Sequence, residues 1–231
     1  METEYIAQGK EKRTYDAVVF DLDGTLLDSM PYWASVGMRF LQERNIVIPD
    51  VQAFSLRLKT MTLPEAAVFF QKEYQVQNSV EEICGQIDHM IEDDYLYRAP
   101  LKDGVREMLE GLHRQGDRMS VASATSHTLV EAALRRVGVL EYFQFIVTCG
   151  DLNTSKNQPY IFDECARRLG TEKTTTGVFE DSLHCVRTAS RAGYPVIGVY
   201  DASAAGEETE IRSLCRQYIR DWTEFSPCCA G

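Results

Sequence analysis

Five short apolar runs punctuate a chain that is otherwise amphipathic. The first, Ala17-Val18-Val19-Phe20, carries two β-branched residues and ends in Asp21-Leu22-Asp23-Gly24-Thr25, the pattern of a buried strand entering a turn. The others are Met119-Ser120-Val121-Ala122, Phe145-Ile146-Val147-Thr148, Gly177-Val178-Phe179 and Val196-Ile197-Gly198-Val199-Tyr200. Continuous apolar strands of this kind suit a parallel sheet covered on both faces. Between the later strands the period changes to that of a helix. Val105, Met108, Leu109 and Leu112 form one stripe, Val130, Leu134 and Val137 a second, and Ile161, Phe162, Cys165, Ala166 and Leu169 a third. Strands alternating with helices predict an α/β fold: a Rossmann-like, doubly wound parallel sheet.

The first and second strands lie about 100 positions apart, far more than the dozen or so residues a crossover requires. The excess reads as an inserted small α-helical domain over residues 30–97, with residues 1–29 and 98–231 forming the α/β core. Met30 to Arg44 places Trp33, Val36, Phe40 and Leu41 on one side. Thr62-Leu63-Pro64-Glu65 and Ser79-Val80-Glu81-Glu82 have the spacing of capping boxes ahead of two further helices. Chain leaving the sheet after Asp28 and returning near Pro100 gives the insert two connections, the geometry of a hinged lid.

Charge and cysteine content narrow the function classes. The 24 basic and 35 acidic residues give a net charge of −11. That argues against a nucleic-acid partner, which demands a basic surface, and against an anionic membrane. Residues 1–14 are polar and patternless, without an apolar signal core, and no run of 18 apolar residues occurs, so a cytoplasmic protein is expected. The seven cysteines are scattered and odd in number, which is no disulfide framework, and no CxxC pair suggests zinc. The Cys228-Cys229-Ala230-Gly231 end has the outline of a prenylation box but lacks a polybasic stretch and reads as a frayed terminus.

In open α/β sheets, ligands sit beyond the carboxyl ends of the strands. The first strand leads into Asp21 and Asp23, and the second into Ser123, Ala124 and Thr125. Lys156 follows the third, and Glu180 and Asp181 follow the fourth. Crowded carboxylates repel one another, and a divalent cation removes the conflict. Magnesium takes oxygen ligands and pairs one or two carboxylates with a substrate phosphate. A lysine and a hydroxyl suit phosphate oxygens, and a carboxylate can attack phosphorus. The set fits magnesium-dependent phosphoryl transfer.

DLDGT after an apolar strand, Ser123 in VASAT, Lys156 in KNQPYIF, and FEDS at 179–182 followed by AGYPVIGV together resemble the four motifs of the haloacid dehalogenase superfamily. The position of the insert resembles the helical-cap subfamily that includes β-phosphoglucomutase-like and phosphoglycolate-phosphatase-like enzymes. The resemblance implies Asp21 as nucleophile and Asp23 as general acid and base. It implies a magnesium site on Asp21, Asp23, Glu180 and Asp181. It implies phosphate binding by Ser123, Ala124 and Lys156, with Thr25 orienting the loop among them. The lysine loop departs from the family's usual form, with Asn157 in place of a proline and Tyr160 in place of an aspartate. The same resemblance suggests a monomer.

An acidic group at Asp23 argues for phosphate esters, because a leaving alkoxide needs a proton. The expected activity is hydrolysis of a small phosphorylated metabolite. A sugar-phosphate mutase and a catalytically silent binding protein are the alternatives. In β-phosphoglucomutases a histidine lies 12 positions after the nucleophile; the matching residue here is Trp33, whose indole cannot relay protons. Tyr32, Trp33, Arg57 and Lys59 are the candidate specificity residues of the insert.

Overall fold

The apolar runs assemble into a six-stranded, all-parallel sheet in the computed structural model, which describes residues 15–58, 61 and 63–225. The strands are β1 (Ala17–Phe20), β2 (Arg118–Ser123), β3 (Phe145–Thr148), β4 (Thr176–Glu180), β5 (Val196–Val199) and β6 (Gln217–Ile219), in the order β3-β2-β1-β4-β5-β6. The first five match the sequence reading. β6 carries no apolar run: it is a three-residue edge strand in which Ile219 alone is buried, too short to leave a periodic signal. The expectations for residues 1–14, for Thr62 and Lys59, and for the Cys228-Cys229 end lie outside the described residues.

Alternation along β1 sends its side chains to opposite faces. Val18 and Phe20 pack with α5 (Val105–Arg114) and α6 (His127–Arg136), whereas Ala17 and Val19 pack with α7 (Tyr160–Leu169), α8 (Leu183–Arg191) and α9 (Glu208–Leu214). Helices on both faces explain why these strands read as uninterrupted apolar runs. Phe20 stacks on Phe179 of the adjacent strand, with ring centroids 4.6 Å apart, and Trp222 stacks on Phe179 at 5.3 Å. This aromatic column lies directly beneath the carboxyl ends of β1 and β4. Phe20 is level with Val121 on one side and Phe179 on the other, so the turns after β1, β2 and β4 open at one height.

Between β1 and α5 the chain forms α1 (Met30–Gln42), α2 (Val51–Leu58), α3 (Leu63–Tyr74) and α4 (Val80–Tyr97). The Ser79 hydroxyl accepts from the Glu82 N–H, and the Glu82 carboxylate accepts from the Ser79 N–H, completing the second capping box. Phe54 of α2 stacks between the rings of α3, 6.0 Å from Phe70, which in turn stacks on Phe40 of α1 at 5.6 Å. Asp94 of α4 is fully buried and accepts from Arg39 of α1 and from Arg98, one turn further on, at 2.6 Å. Arg136 of α6 donates to the carbonyls of Tyr95, at 2.9 Å, and Ala99, answering the unpaired acceptors at the end of α4. The two connections to the sheet run side by side: the Asp28 N–H donates to the Pro100 carbonyl at 2.9 Å, and Leu27 and Leu101 form an antiparallel bridge. Among the described residues no helix is long and apolar enough to cross a membrane.

Asp94 should therefore govern the joint between α1 and α4. Asp94→Ala removes the acceptor of two guanidinium groups, and charged hydrogen bonds contribute about 1.5–3 kcal/mol. A stability loss of roughly 2 kcal/mol is expected in urea denaturation. A midpoint unchanged from the parent protein would mean that the two arginines are satisfied by water.

Candidate active site

Asp21 is the first residue past β1, and its N–H still donates to the Phe179 carbonyl, at 3.0 Å, extending the ladder with β4. The chain then turns sharply. Gly24 has φ of +79°, and a Cβ there would lie 2.4 Å from Asp181 Oδ2. The glycine of DLDGT is thus required twice, for its backbone conformation and for the close approach of the loop to the next carboxylate. Lys102 braces the turn from below by donating to the carbonyls of Gly24 and of Tyr200, the latter at 2.7 Å, and to Asp201 at 2.9 Å. Thr25 is fully buried behind the loop, and its hydroxyl donates to Asp181 Oδ1 at 3.3 Å. It orients a carboxylate rather than facing the cleft.

Asp21, Glu180 and Asp181 form a buried triad whose ligating oxygens all lie within 4.8 Å of one another. Lys156, only 5% exposed, donates to Asp21 and, at 2.6 Å, to Glu180. One ammonium does not balance three carboxyl groups. Burial, aided by the charge of Glu180 and only partly opposed by Lys156, pushes Asp21 up to about 6. Burial and the charges of Asp21 and Glu180 likewise raise Asp181 well above the usual carboxylate range. Burial works against the Lys156 ammonium, but Asp21 and Glu180 outweigh it and hold its pKa high. Hard oxygen donors, all buried and short of positive charge, fit a divalent cation.

Asp23 lies beside this triad with different partners. Its Oδ1 accepts from the hydroxyls of Ser29, at 2.7 Å, and Tyr95; its Oδ2 accepts from Thr125 at 2.8 Å. Burial and the neighbouring Asp21 raise its pKa against the pull of these three hydroxyls. Ser123 is fully buried at the end of β2, where its Oγ accepts from the Thr125 N–H at 3.0 Å and shapes the turn that presents Ala124.

Asp21, Asp23, Ala124, Lys156, Glu180 and Asp181 share the wall of one open cleft of about 1550 Å³. Thr25 and Ser123 lie immediately behind that wall. Of the candidate specificity residues, Trp33 lines the cleft; Tyr32 does not, and Arg57 is turned to its own helices, 4.4 Å from the Phe69 ring centroid and 3.9 Å from Glu73. The opposite wall is built instead by Ser55 and Leu58 of α2 and by Asp88, His89 and Glu92 of α4. Sequence reading passed over Ser29, Tyr95 and Thr125 as partners of Asp23. Thr125 stood at a strand end and was open to recognition; Tyr95, on a distant helix, left no local pattern.

The family model for haloacid dehalogenase-like hydrolases matches residues 18–199, which spans the sheet from β1 to β5 and every residue of the triad. The chain belongs to this family. Among curated relatives of this haloacid dehalogenase-like chain, validoxylamine A 7'-phosphate phosphatase of Streptomyces hygroscopicus subsp. limoneus is 25% identical over 198 residues, 84% of this chain and 91% of that protein. Hexitol phosphatase B of Escherichia coli K12 is 28% identical over 176 residues, 73% of this chain and 76% of that one. In three dimensions, CbbY of Rhodobacter sphaeroides, solved with phosphate, superposes with a TM-score of 0.73 at 22% identity, covering 91% of this chain and 96% of that one, and shares its fold. The doubly wound parallel sheet read from the apolar runs is the sheet observed, and the family resemblance carried by the four motifs holds.

Crowding in the triad predicts a pH effect. A carboxyl group whose folded pKa is raised stabilises the fold below its unfolded value, near 3.8, and that contribution is lost as pH rises through about 6. Metal-free protein should therefore lose thermal stability between pH 4.5 and pH 7.5, beyond the trend of its other groups. Asp21→Asn should be the more stable protein at pH 7.5, by on the order of 2 kcal/mol, with the gap closing at pH 4.5. Added magnesium chloride should narrow it at pH 7.5. Equal stability of the two metal-free proteins at pH 7.5 would show that Lys156 already neutralises the triad.

Proposed function

We propose that this chain is a magnesium-dependent phosphatase of small phosphorylated sugars or polyols that works through an aspartyl-phosphate on Asp21. The observation that carries the reading is the pairing on one cleft wall of two aspartates with opposite surroundings. Asp21 belongs to a cation-binding triad, and Asp23, two residues on, is held by hydroxyl groups alone. Such a division separates a nucleophile from a proton carrier.

Asp21, Glu180 and Asp181, with the Asp23 carbonyl, would hold magnesium, which when bound would offset the negative charge of the transferring phosphoryl group. Lys156 and the N–H of Ala124 hold the phosphoryl oxygens, and the hydroxyl of Ser123 shapes their turn. The amino end of α6, whose Ser126, Thr128 and Leu129 line the cleft, favours an anion there. An Asp21 oxygen attacks phosphorus, the bond from phosphorus to the ester oxygen breaks, and protonated Asp23 gives its proton to the departing alkoxide. Asp23, now a carboxylate, takes a proton from water. The water oxygen attacks phosphorus, the bond to Asp21 breaks, and inorganic phosphate leaves. Residues 30–97 act as a cap over this site, hinged where Asp28 meets Pro100, with residues 1–29 and 98–231 as the catalytic core.

Two features support a sugar or polyol phosphate with water as acceptor. Asp88 and Glu92 on the cap wall are suited to accept hydrogen bonds from hydroxyl groups, and the two curated relatives are named as phosphatases of a hexitol phosphate and of validoxylamine A 7'-phosphate. A mutase must also anchor a bisphosphate. Among the described residues that line the cleft, Lys156 is the single lysine or arginine, and it is engaged by Asp21 and Glu180.

Phosphate release should be followed across hexitol phosphates, hexose phosphates, glycolate phosphate and nucleotides, with magnesium and with chelator. Release is expected from the polyol and sugar esters, with loss of activity on chelation. Asp21→Asn should retain under roughly one part in a thousand of the activity, the scale on which covalent nucleophiles matter. Rapid conversion of β-glucose 1-phosphate to glucose 6-phosphate, primed by the 1,6-bisphosphate and releasing little phosphate, would replace the hydrolase reading with the mutase.

A further inference from the structure

Tyr95 is a fully buried residue in the last turn of α4, and its backbone carbonyl is pinned by Arg136 of α6 at 2.9 Å. Its hydroxyl ends a chain that begins on α1: the Trp33 indole N–H donates to Tyr95 Oη at 3.0 Å, and Tyr95 donates in turn to Asp23 Oδ1. Thr125 Oγ1 lies 3.4 Å from the same hydroxyl. A phenol has one proton to give. With the indole committed as donor, the Tyr95 proton is directed to Asp23.

The count of donors on Asp23 is asymmetric. Oδ1 receives two hydroxyls, from Ser29 and Tyr95, and Oδ2 receives one, from Thr125. A carboxylate oxygen accepts two hydrogen bonds readily. Oδ1 is therefore saturated, and Oδ2 keeps a free position. We infer that Tyr95 is a positioning residue for the reaction: by saturating Oδ1 it assigns proton transfer to Asp23 Oδ2, and Trp33 fixes Tyr95 in that role. This rests on the phosphatase reading given above. The consequence is that proton delivery depends on two helices of the insert, α1 and α4, although Asp23 itself belongs to the sheet.

Tyr95→Phe keeps the ring and removes the hydroxyl. Two aryl esters separate its possible effects, because phenolate departs far less readily than nitrophenolate without a proton. For phenyl phosphate, kcat/KM of Tyr95→Phe should fall roughly 10- to 100-fold, within the range that a positioned acid contributes. For p-nitrophenyl phosphate, kcat/KM should change less than about threefold, since that step scarcely needs the acid. Its kcat should nevertheless drop, because Asp23 must also activate water. Rapid mixing should then show a burst of one nitrophenolate per active site, which counts only folded molecules. Trp33→Phe should shift both esters in the same directions by a smaller factor. Equal losses of kcat/KM on the two esters, or full activity on both, would overturn the role of Tyr95 and leave the phosphatase intact. Wild-type protein that releases phosphate from neither aryl ester nor from the sugar and polyol esters would overturn the phosphatase reading and this inference with it.

Discussion

Crowding of negative charge at one edge of a buried sheet is the constraint around which this molecule is organised. Asp21, Asp23, Glu180 and Asp181 converge where β1 and β4 end side by side, and a single buried ammonium, Lys156, answers them within the protein. The arrangement raises the pKa of three of the four carboxyl groups. The scaffold tolerates it because the layers beneath are rigid. Phe20, Phe179 and Trp222 form a stacked column under the acidic edge, close-packed side chains that oppose any spreading of the strand ends.

Within that edge, small differences in company give identical side chains different chemistry. Asp21 faces other carboxyl groups and an ammonium; Asp23 faces hydroxyl groups. Gly24, directly after Asp23, turns the loop away with its positive φ, and its missing Cβ lets Asp181 close in. Lys102, which enters no motif, holds that turn by the carbonyl of Gly24 while meeting Asp201 on the far side of β5. The support of the site is thus spread over segments far apart in sequence.

This distribution explains what was legible in the chain. Strand runs with both faces covered, helix stripes and the residues at strand ends are local patterns, and they located the sheet, the helices between β1 and α5, and six residues that line the cleft: Asp21, Asp23, Ala124, Lys156, Glu180 and Asp181. Ser79 and Glu82 marked their helix start by spacing alone. β6 escaped because three residues at an edge carry no period. Arg57 was misleading for a different reason: a basic residue near a lid suggests a ligand, yet its guanidinium packs on Phe69 and pairs with Glu73 within the helices. Tyr95 was unreadable because its partners, Asp23 and Trp33, lie 72 and 62 positions away, and only the fold brings them together. Asp88, His89 and Glu92 face the cleft from a helix whose outward positions look like any solvated surface.

The paired crossing at Asp28 and Pro100 has a bearing on how such a molecule can diversify. Because the ends of the insert are already held together by the core, lengthening or replacing what lies between them adds little closure entropy and leaves the strand register untouched. New substrate pockets can be tried by exchanging helices without rebuilding the phosphoryl-transfer edge. The bond from Tyr95 to Asp23 sets a condition on that freedom. Any exchanged segment must bring a hydroxyl back to the same carboxylate oxygen, or the core must provide one, so inheritance of the lid and inheritance of proton transfer are tied through a single atom.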